Sequence, residues 1–243
     1  MTKVSERLNR LAESATLAMA RMSRELQAKG INIIALSLGE PDFDTPEFIK
    51  EAAKKAIDDN FSHYTPVPGL PELRSSISAK FKRDNHLEYT PDQIVVSTGA
   101  KQSLANVCLS LLDPEDEVLL PCPYWVSYAE IIKLAEGIPV EIKSTIDSDF
   151  KITPNQLEAS ITSRTKMIMF SSPCNPSGTV YTQSELEAIA KMLEKYPNIY
   201  IVSDEIYEHI NFTDKHYSIG TISSMKDRTV TVNGVSKGFA MTG

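Results

Sequence analysis

Residues 166–204, KMIMFSSPCNPSGTVYTQSELEAIAKMLEKYPNIYIVSD, decide the fold. Lys166–Phe170 is a short run that is apolar rather than alternating, as expected of a strand covered on both faces. Leu186, Ile189, Ala190 and Leu193 then recur at helical spacing and would lay one apolar stripe on a sheet. Thr182, with Glu185 three residues on, has the form of a capping box that opens this helix. A second apolar run, Ile199–Ser203, follows. Strand, helix and strand in this order make one parallel crossover unit.

The same alternation extends in both directions. Further strands are expected at Ile33–Leu36, Ile94–Ser97, Glu117–Leu120, Ile138–Ile142 and Thr229–Val232. Helical stripes are expected on Leu104, Val107, Cys108 and Leu111, and on Phe48, Ile49, Ala52, Ala53, Ala56 and Ile57. The fold class is therefore α/β with a mainly parallel sheet. Residues 1–45 differ in kind: an amphipathic helix, a short strand and the Pro-rich turn GEPDFDTP. They read as an arm or part of a smaller unit, and residues 46–243 as the main domain.

Composition narrows the function classes. A chain of 243 residues with 42% hydrophobic and 23% charged residues has the balance of an ordinary globular protein able to bury a core. A net charge of −7 without a basic block argues against a nucleic-acid surface. Cys108, Cys122 and Cys174 are widely spaced and lack metal-ligand spacing, so free thiols in a reducing compartment and no metal site are expected. The first twenty residues carry no continuous apolar run, so neither a signal peptide nor a membrane anchor is expected, and the location reads as cytoplasmic.

Four segments fall where strands should end, the place where open α/β sheets gather ligands. Ser97-Thr98-Gly99-Ala100-Lys101 opens the helix carrying Leu104, and small residues at a helix N-terminus leave backbone N–H groups free for a phosphate; many ordinary strand-to-helix turns look the same. Ser171–Gly178 holds a single amide, Asn175, between two prolines, either aimed at a ligand or serving as a turn residue. Asp204 ends a strand that should be buried, where a carboxylate is costly unless it meets a cation or several donors; a helix N-cap is the ordinary alternative. Lys237 lies in Asn233-Gly234-Val235-Ser236-Lys237-Gly238-Phe239 beyond the last strand. Burial there would depress its pKa and make the amine nucleophilic, whereas most lysines are solvated surface. Together these are the parts a pyridoxal phosphate site needs: an amine for the Schiff base, an anion for the pyridinium nitrogen and a phosphate cradle.

With the stretches SLGEPDFDTP, YTPVPGLPELR, STGAKQSL, PYWVSY, SSPCNPSG, VSDEIYEH and SKGFAMTG, the chain resembles the class I/II pyridoxal-phosphate-dependent aminotransferases, and among them the bacterial aspartate aminotransferase subgroup. The resemblance runs from Ser14 to Gly243. It implies a fold-type I large domain with a mainly parallel, doubly wound sheet, incomplete at its C-terminus and without the small closing domain. It also implies transfer of the amino group of aspartate or a similar acidic amino acid to 2-oxoglutarate.

Residue by residue, the resemblance makes Lys237 the cofactor-bearing and proton-shuttling amine and Asp204 the partner of the pyridine nitrogen. Asn175 and Tyr207 become donors to the cofactor's O3′. Trp125 becomes the ring stacked on the pyridine, for which a core aromatic is the plain alternative. Gly99, Ala100 and Lys101 match the phosphate cradle, and Gly39 a backbone contact to the substrate carboxylate. Tyr64 would reach the phosphate of a partner subunit, which implies a homodimer with shared sites. Lys101, Ser14 and Thr16 match the set that receives a distal carboxylate, with helix capping as the plain alternative for the last two.

The chain departs from the family pattern in three ways. Gly234 stands where many relatives carry a phosphate-bonding serine. Cys174 replaces a frequent asparagine. The arginines that in the family anchor the phosphate and pair with the substrate α-carboxylate fall beyond Gly243. Another enzyme on the same scaffold, such as a β-C–S lyase or a different transaminase, and a truncated chain that binds cofactor without turnover remain alternatives. A pyridoxal-binding transcription regulator would need a preceding DNA-reading domain for which the sequence leaves no room.

Overall fold

The computed structural model describes residues 4–12, 15–34, 36, 39–213 and 215–243. Five strands form one parallel sheet in the order β2-β1-β3-β4-β5: β1 (Glu117–Pro121), β2 (Ile138–Ile142), β3 (Thr165–Ser171), β4 (Tyr200–Asp204) and β5 (Thr229–Val232). The strand order reverses between β1 and β3, which makes their carboxyl ends the switch point of a doubly wound sheet.

The continuous apolar runs are explained by the two faces. Leu119, Ile168, Phe170 and Ile201 point into one core with Leu157, Leu186, Ile189 and Leu193. Val118, Leu120, Met167, Met169 and Val202 alternate with them and point into a second core with Leu104, Cys108, Tyr128 and Ile132. Period-two alternation with both faces covered reads as unbroken hydrophobicity. The first core is roofed by α7 (Pro154–Ser160) and α8 (Gln183–Leu193), the second by α5 (Ala100–Leu111) and α6 (Ser127–Leu134).

Helix α8 shows how locally this architecture is specified. Thr182 accepts from the Glu185 N–H at its start, and the Glu185 carboxylate accepts from the Thr182 N–H, so the capping box forms as read. At the other end the Arg228 guanidinium donates to the Leu193 carbonyl at 2.9 Å, covering an acceptor left open by the last turn.

Three expectations are corrected. Ile94–Ser97 is extended at Ile94 (φ −112°, ψ 129°), but no strand lies beside it among the described residues, so it forms no ladder. It is held instead by Val96 N–H to Pro68 O and by Arg74 Nε to Ile94 O. Ile33, Ile34 and Leu36 are likewise not in a strand; Ile34 and Leu36 are exposed, with no buried face to fix a register. Helix α3 (Glu47–Asp58) forms over the expected stripe but buries none of it, and Phe48 and Ile57 face outward. Its amphipathic pattern was read correctly; its seat against the sheet was not.

The N-terminal stretch is tied to the main body at two places. Near α1 (Glu6–Asn9), Arg10 pairs with Glu136 and the Ala12 N–H donates to Glu130 at the edge of α6. Further on, Thr45 Oγ1 donates to the Ala240 carbonyl and Thr242 Oγ1 to Glu40. Between them lies α2 (Ala15–Ala28). Helix α4 (Pro71–Asn85) reaches the β5 side of the sheet through Tyr89, whose ring meets Phe81 edge-on and whose hydroxyl bonds with Thr231 Oγ1. No helix among the described residues is long and apolar enough to cross a membrane.

Candidate active site

The carboxyl ends of β1, β3, β4 and β5 converge on one region, and each delivers a residue singled out from the sequence. Asp204 closes β4 and is buried. Its Oδ2 accepts from the Tyr128 hydroxyl at 2.6 Å and its Oδ1 from the Ile206 N–H at 3.2 Å. Burial pushes the Asp204 carboxyl up to about 6, with the two donors working against the shift. No helix starts after Asp204, so it is not an N-cap; its bond to Ile206 closes a tight turn in which Glu205 and Ile206 stay buried.

Two residues further on, Tyr207 meets the loop after β3: Asn175 Nδ2 donates to the Tyr207 hydroxyl at 3.2 Å. Asn175 is placed by its own N–H bond to Ser171 Oγ, at the last residue of β3. The segment between β1 and α6 brings Trp125, whose ring stands edge-on to Tyr128 with centroids 5.6 Å apart. Lys101, in the first turn of α5, holds its ammonium 4.9 Å from the Trp125 ring centre, a cation–π distance.

Gly99 sits at the N-cap of α5 with φ 83°, a conformation that favours glycine, and nothing occupies the space where a Cβ would lie. The backbone N–H groups of Ala100 and Lys101 follow directly, in the helix turn that has no intrahelical acceptors. Beyond β5, the Lys237 amine donates to the Gly39 carbonyl at 2.9 Å and lies 5.9 Å from the Tyr207 ring centre. Lys237 is half-buried, between the enclosed amine and the solvated surface lysine that the sequence left open.

Thus Asp204, Tyr128, Trp125 and Lys101 form one chain of contacts and Asn175, Tyr207, Lys237 and Gly39 another; the two meet where Ser171, which holds Asn175, pairs with Asp204 across β3 and β4, and the Gly99 turn adjoins Lys101. Tyr64 does not join them: it is fully exposed in the loop before α4, with no contact to the site among the described residues. Thr16 lies in the first turn of α2 and makes no hydrogen bond to the site among the described residues. Ser14 lies outside the described residues.

Sequence reasoning missed Tyr128. Tyr128 lies in the first turn of α6, three residues beyond Trp125, which precedes the helix, and an aromatic on an apolar helix face reads as core. Sequence reasoning also passed over Glu205, Glu208 and His209, which follow Asp204 and look like a solvated acidic turn. Glu205 is fully buried, bonded to Ser203, Ser218 and His216. Two adjacent buried carboxylates therefore leave the end of β4 on opposite sides, one toward the site and one away from it.

Residues 31–243 match the family model for aminotransferase class I and II, and the chain belongs to that family. It is 50% identical to the probable aspartate/prephenate aminotransferase of Rickettsia typhi and 48% identical to the aspartate/prephenate aminotransferase of Cereibacter sphaeroides, in both cases along its whole length. Among solved structures it superposes on the Thermus thermophilus aspartate aminotransferase with maleate at a TM-score of 0.96 and 43% identity, over 100% of this chain and 63% of that one. The chain spans 61% of the length of these two curated relatives.

Proposed function

We propose that this chain carries the pyridoxal phosphate site of an aspartate/prephenate-type aminotransferase, with Lys237 as the amine that attaches the cofactor. The observation that carries this reading is the buried Asp204 carboxylate, set at a strand end beside an Asn175–Tyr207 pair that the Lys237 side chain overlooks. A carboxyl pushed up to about 6 by burial is short of a positive partner, and a protonated ring nitrogen is such a partner. The open space at Gly99, facing the free N–H groups of a helix start, suits a phosphate. The residues present therefore fit the cofactor.

When bound, the cofactor supplies an electron sink for charge developing at the substrate α-carbon. The chain's own residues do the rest. Asp204 holds the ring nitrogen protonated, and Tyr128 keeps Asp204 oriented and ionised. Asn175 and Tyr207 would donate to the ring oxygen, Trp125 would shield the ring from water, and Gly99, Ala100 and Lys101 would hold the phosphate. The Lys237 amine would attach the cofactor and would be the base that moves the proton at the substrate α-carbon. Gly39 contacts the substrate α-carboxylate through its backbone, and Lys101 with Ser14 and Thr16 receives a distal carboxylate.

This assignment makes aspartate, glutamate or prephenate-derived amino acids the donors and 2-oxo acids the acceptors. It also makes the protein a cytoplasmic homodimer in which Tyr64 serves the partner subunit's phosphate. Residues 1–45 act as arm and part of the small domain, and 46–243 as the cofactor-binding domain. The test is borohydride reduction of the chain with pyridoxal phosphate, followed by peptide mapping. A single adduct on the Lys237 peptide is expected; adducts spread over surface lysines, or none, would overturn the assignment.

A further inference from the structure

The turn that carries Tyr207 continues into Glu208 and His209, and these two residues lie beneath the segment that carries Lys237. A Cβ added at Gly238 would sit 2.8 Å from His209 Cδ2 and 3.0 Å from His209 Cβ, so the backbone beside Lys237 rests on the imidazole at a distance only glycine permits. The next residue, Phe239, meets the same ring edge-on, with centroids 5.8 Å apart and planes at 77°. The segment is stiffened from within by Phe239 N–H to Val235 O and Met241 N–H to Ser236 O. It therefore moves as a unit on whatever supports it.

The support is itself anchored. His209 Nε2 lies 3.3 Å from Glu208 Oε1. The Glu208 side chain is only 5% exposed and is held by the Lys80 ammonium and by Asn85 Nδ2, both from α4. Lys80 also donates to Asn85 Oδ1 at 2.7 Å, closing a small network between α4 and the end of β4. A chain of contacts thus runs from α4 through Glu208 and His209 to Gly238 and Phe239, the two residues that directly follow Lys237.

We propose that His209 is a positioning residue for Lys237, its ring forming the shelf that fixes the height of the 237–239 backbone relative to Tyr207. The inference rests on Lys237 being the cofactor-bearing amine. Reach matters there because covalent capture needs the amine within near-contact distance and in line, and a displacement on the order of 1 Å is costly. His209 touches neither the Lys237 amine nor Asp204 in the described structure; it acts through the backbone.

The test uses the holoenzyme and its cofactor-free form with four variants: His209→Ala, His209→Phe, Gly238→Ala and the double variant His209→Ala/Gly238→Ala. Two readouts besides turnover are followed: the rate of pyridoxal phosphate capture at Lys237, trapped by borohydride and mapped, and the pH midpoint of the bound cofactor's absorbance change. His209→Ala and Gly238→Ala should each slow capture by about tenfold and displace the midpoint. His209→Phe, which keeps a ring in place, should stay near wild type. The double variant should recover part of the Gly238→Ala loss, because the new methyl occupies the space the ring vacated. Unchanged capture and midpoint in His209→Ala, or a double variant no better than Gly238→Ala alone, overturns the inference. A wild-type adduct on a different lysine overturns the reading of Lys237 itself, and is told apart because it appears before any variant is made.

Discussion

The Tyr128 hydroxyl donates to Asp204 Oδ2 across 2.6 Å, between two side chains that are both closed to solvent. The short distance is that of an O–H bond to an ionised acceptor. The Tyr128 phenol is correspondingly driven well above its ordinary range, first by burial and then by the neighbouring carboxylate. The pair is a tyrosine locked as a donor and a carboxyl whose ionisation costs free energy until a cation arrives.

The cost has a sign that can be measured. Asp204 titrates at about 6 in the folded chain against 3.8 unfolded, so between those values the folded state binds more protons and stability falls as pH rises. Above pH 6 the full penalty, on the order of 3 kcal/mol, is present; below pH 4 it is gone. Asp204→Asn should therefore make the cofactor-free chain about 2 kcal/mol more stable at pH 7.5 and leave it unchanged near pH 4, while weakening cofactor binding. Urea unfolding at the two pH values checks this, and a variant less stable than wild type at pH 7.5 would contradict it.

Tyr128→Phe removes a donor but not the ring. Asp204 then keeps only the Ile206 N–H, its pKa rises further, and the acid-side loss of cofactor affinity moves to higher pH. The buried carboxylate left short of a partner should cost about 1–3 kcal/mol at neutral pH. Cofactor titrations at several pH values, with unfolding curves alongside, separate the two effects. An affinity profile superimposable on wild type would show that Asp204 is tuned by something else.

The two kinds of helical stripe should respond differently to truncation. Leu193 is fully buried under the sheet, and Leu193→Ala should cost about 2–5 kcal/mol. Phe48 projects from α3 with 71% of its surface exposed, and Phe48→Ala should change the unfolding free energy by no more than about 0.5 kcal/mol. Comparable losses at both sites in denaturant titration would mean that α3 is covered by a surface with which it makes stable contact.

Gly69 offers a separate packing test. It has φ 107°, and an added Cβ would lie 2.7 Å from Val96 Cγ2. Gly69→Ala should destabilise by about 1–3 kcal/mol, and adding Val96→Ala should relieve the clash but not the backbone strain. Thermal unfolding of the single and double variants reads out both parts.

What the sequence made legible follows from where each signal resides. The strands β3 and β4 and helix α8 were readable because burial on two faces leaves no polar alternation and the Thr182–Glu185 box is wholly local. Ile94–Ser97 was misread because apolar character marks a segment that wants covering, whereas a strand also needs a neighbour to hydrogen-bond. The stripe on α3 was read for the same reason, and no local signal says what covers it. Asp204, Asn175 and Lys237 each have an ordinary reading alone, as cap, turn residue and surface lysine, and stand out only by occurring together after strand ends and by the family resemblance. Tyr128 and His209 could not be picked out, because an aromatic in a helix stripe and a histidine in an acidic turn are both ordinary, and their contacts to Asp204 and to the 238–239 backbone arise only when distant segments meet.

The three hydrogen bonds that fasten residues 39–45 to residues 237–242 join groups 198, 195 and 202 positions apart in the chain. The strand–helix–strand units of the sheet, by contrast, close over short separations and can form independently of these ties. Loop-closure entropy grows only as the logarithm of the separation, but no other contact described above bridges so much chain, so these bonds gain least until the sheet has already drawn the two segments together. The Lys237–Gly39 contact is therefore expected to form after the scaffold, an order that hydrogen exchange during refolding would read out. The tether is also separable from the scaffold: loosening residues 39–45 would free the Lys237 amine from its carbonyl partner while leaving every strand pairing intact.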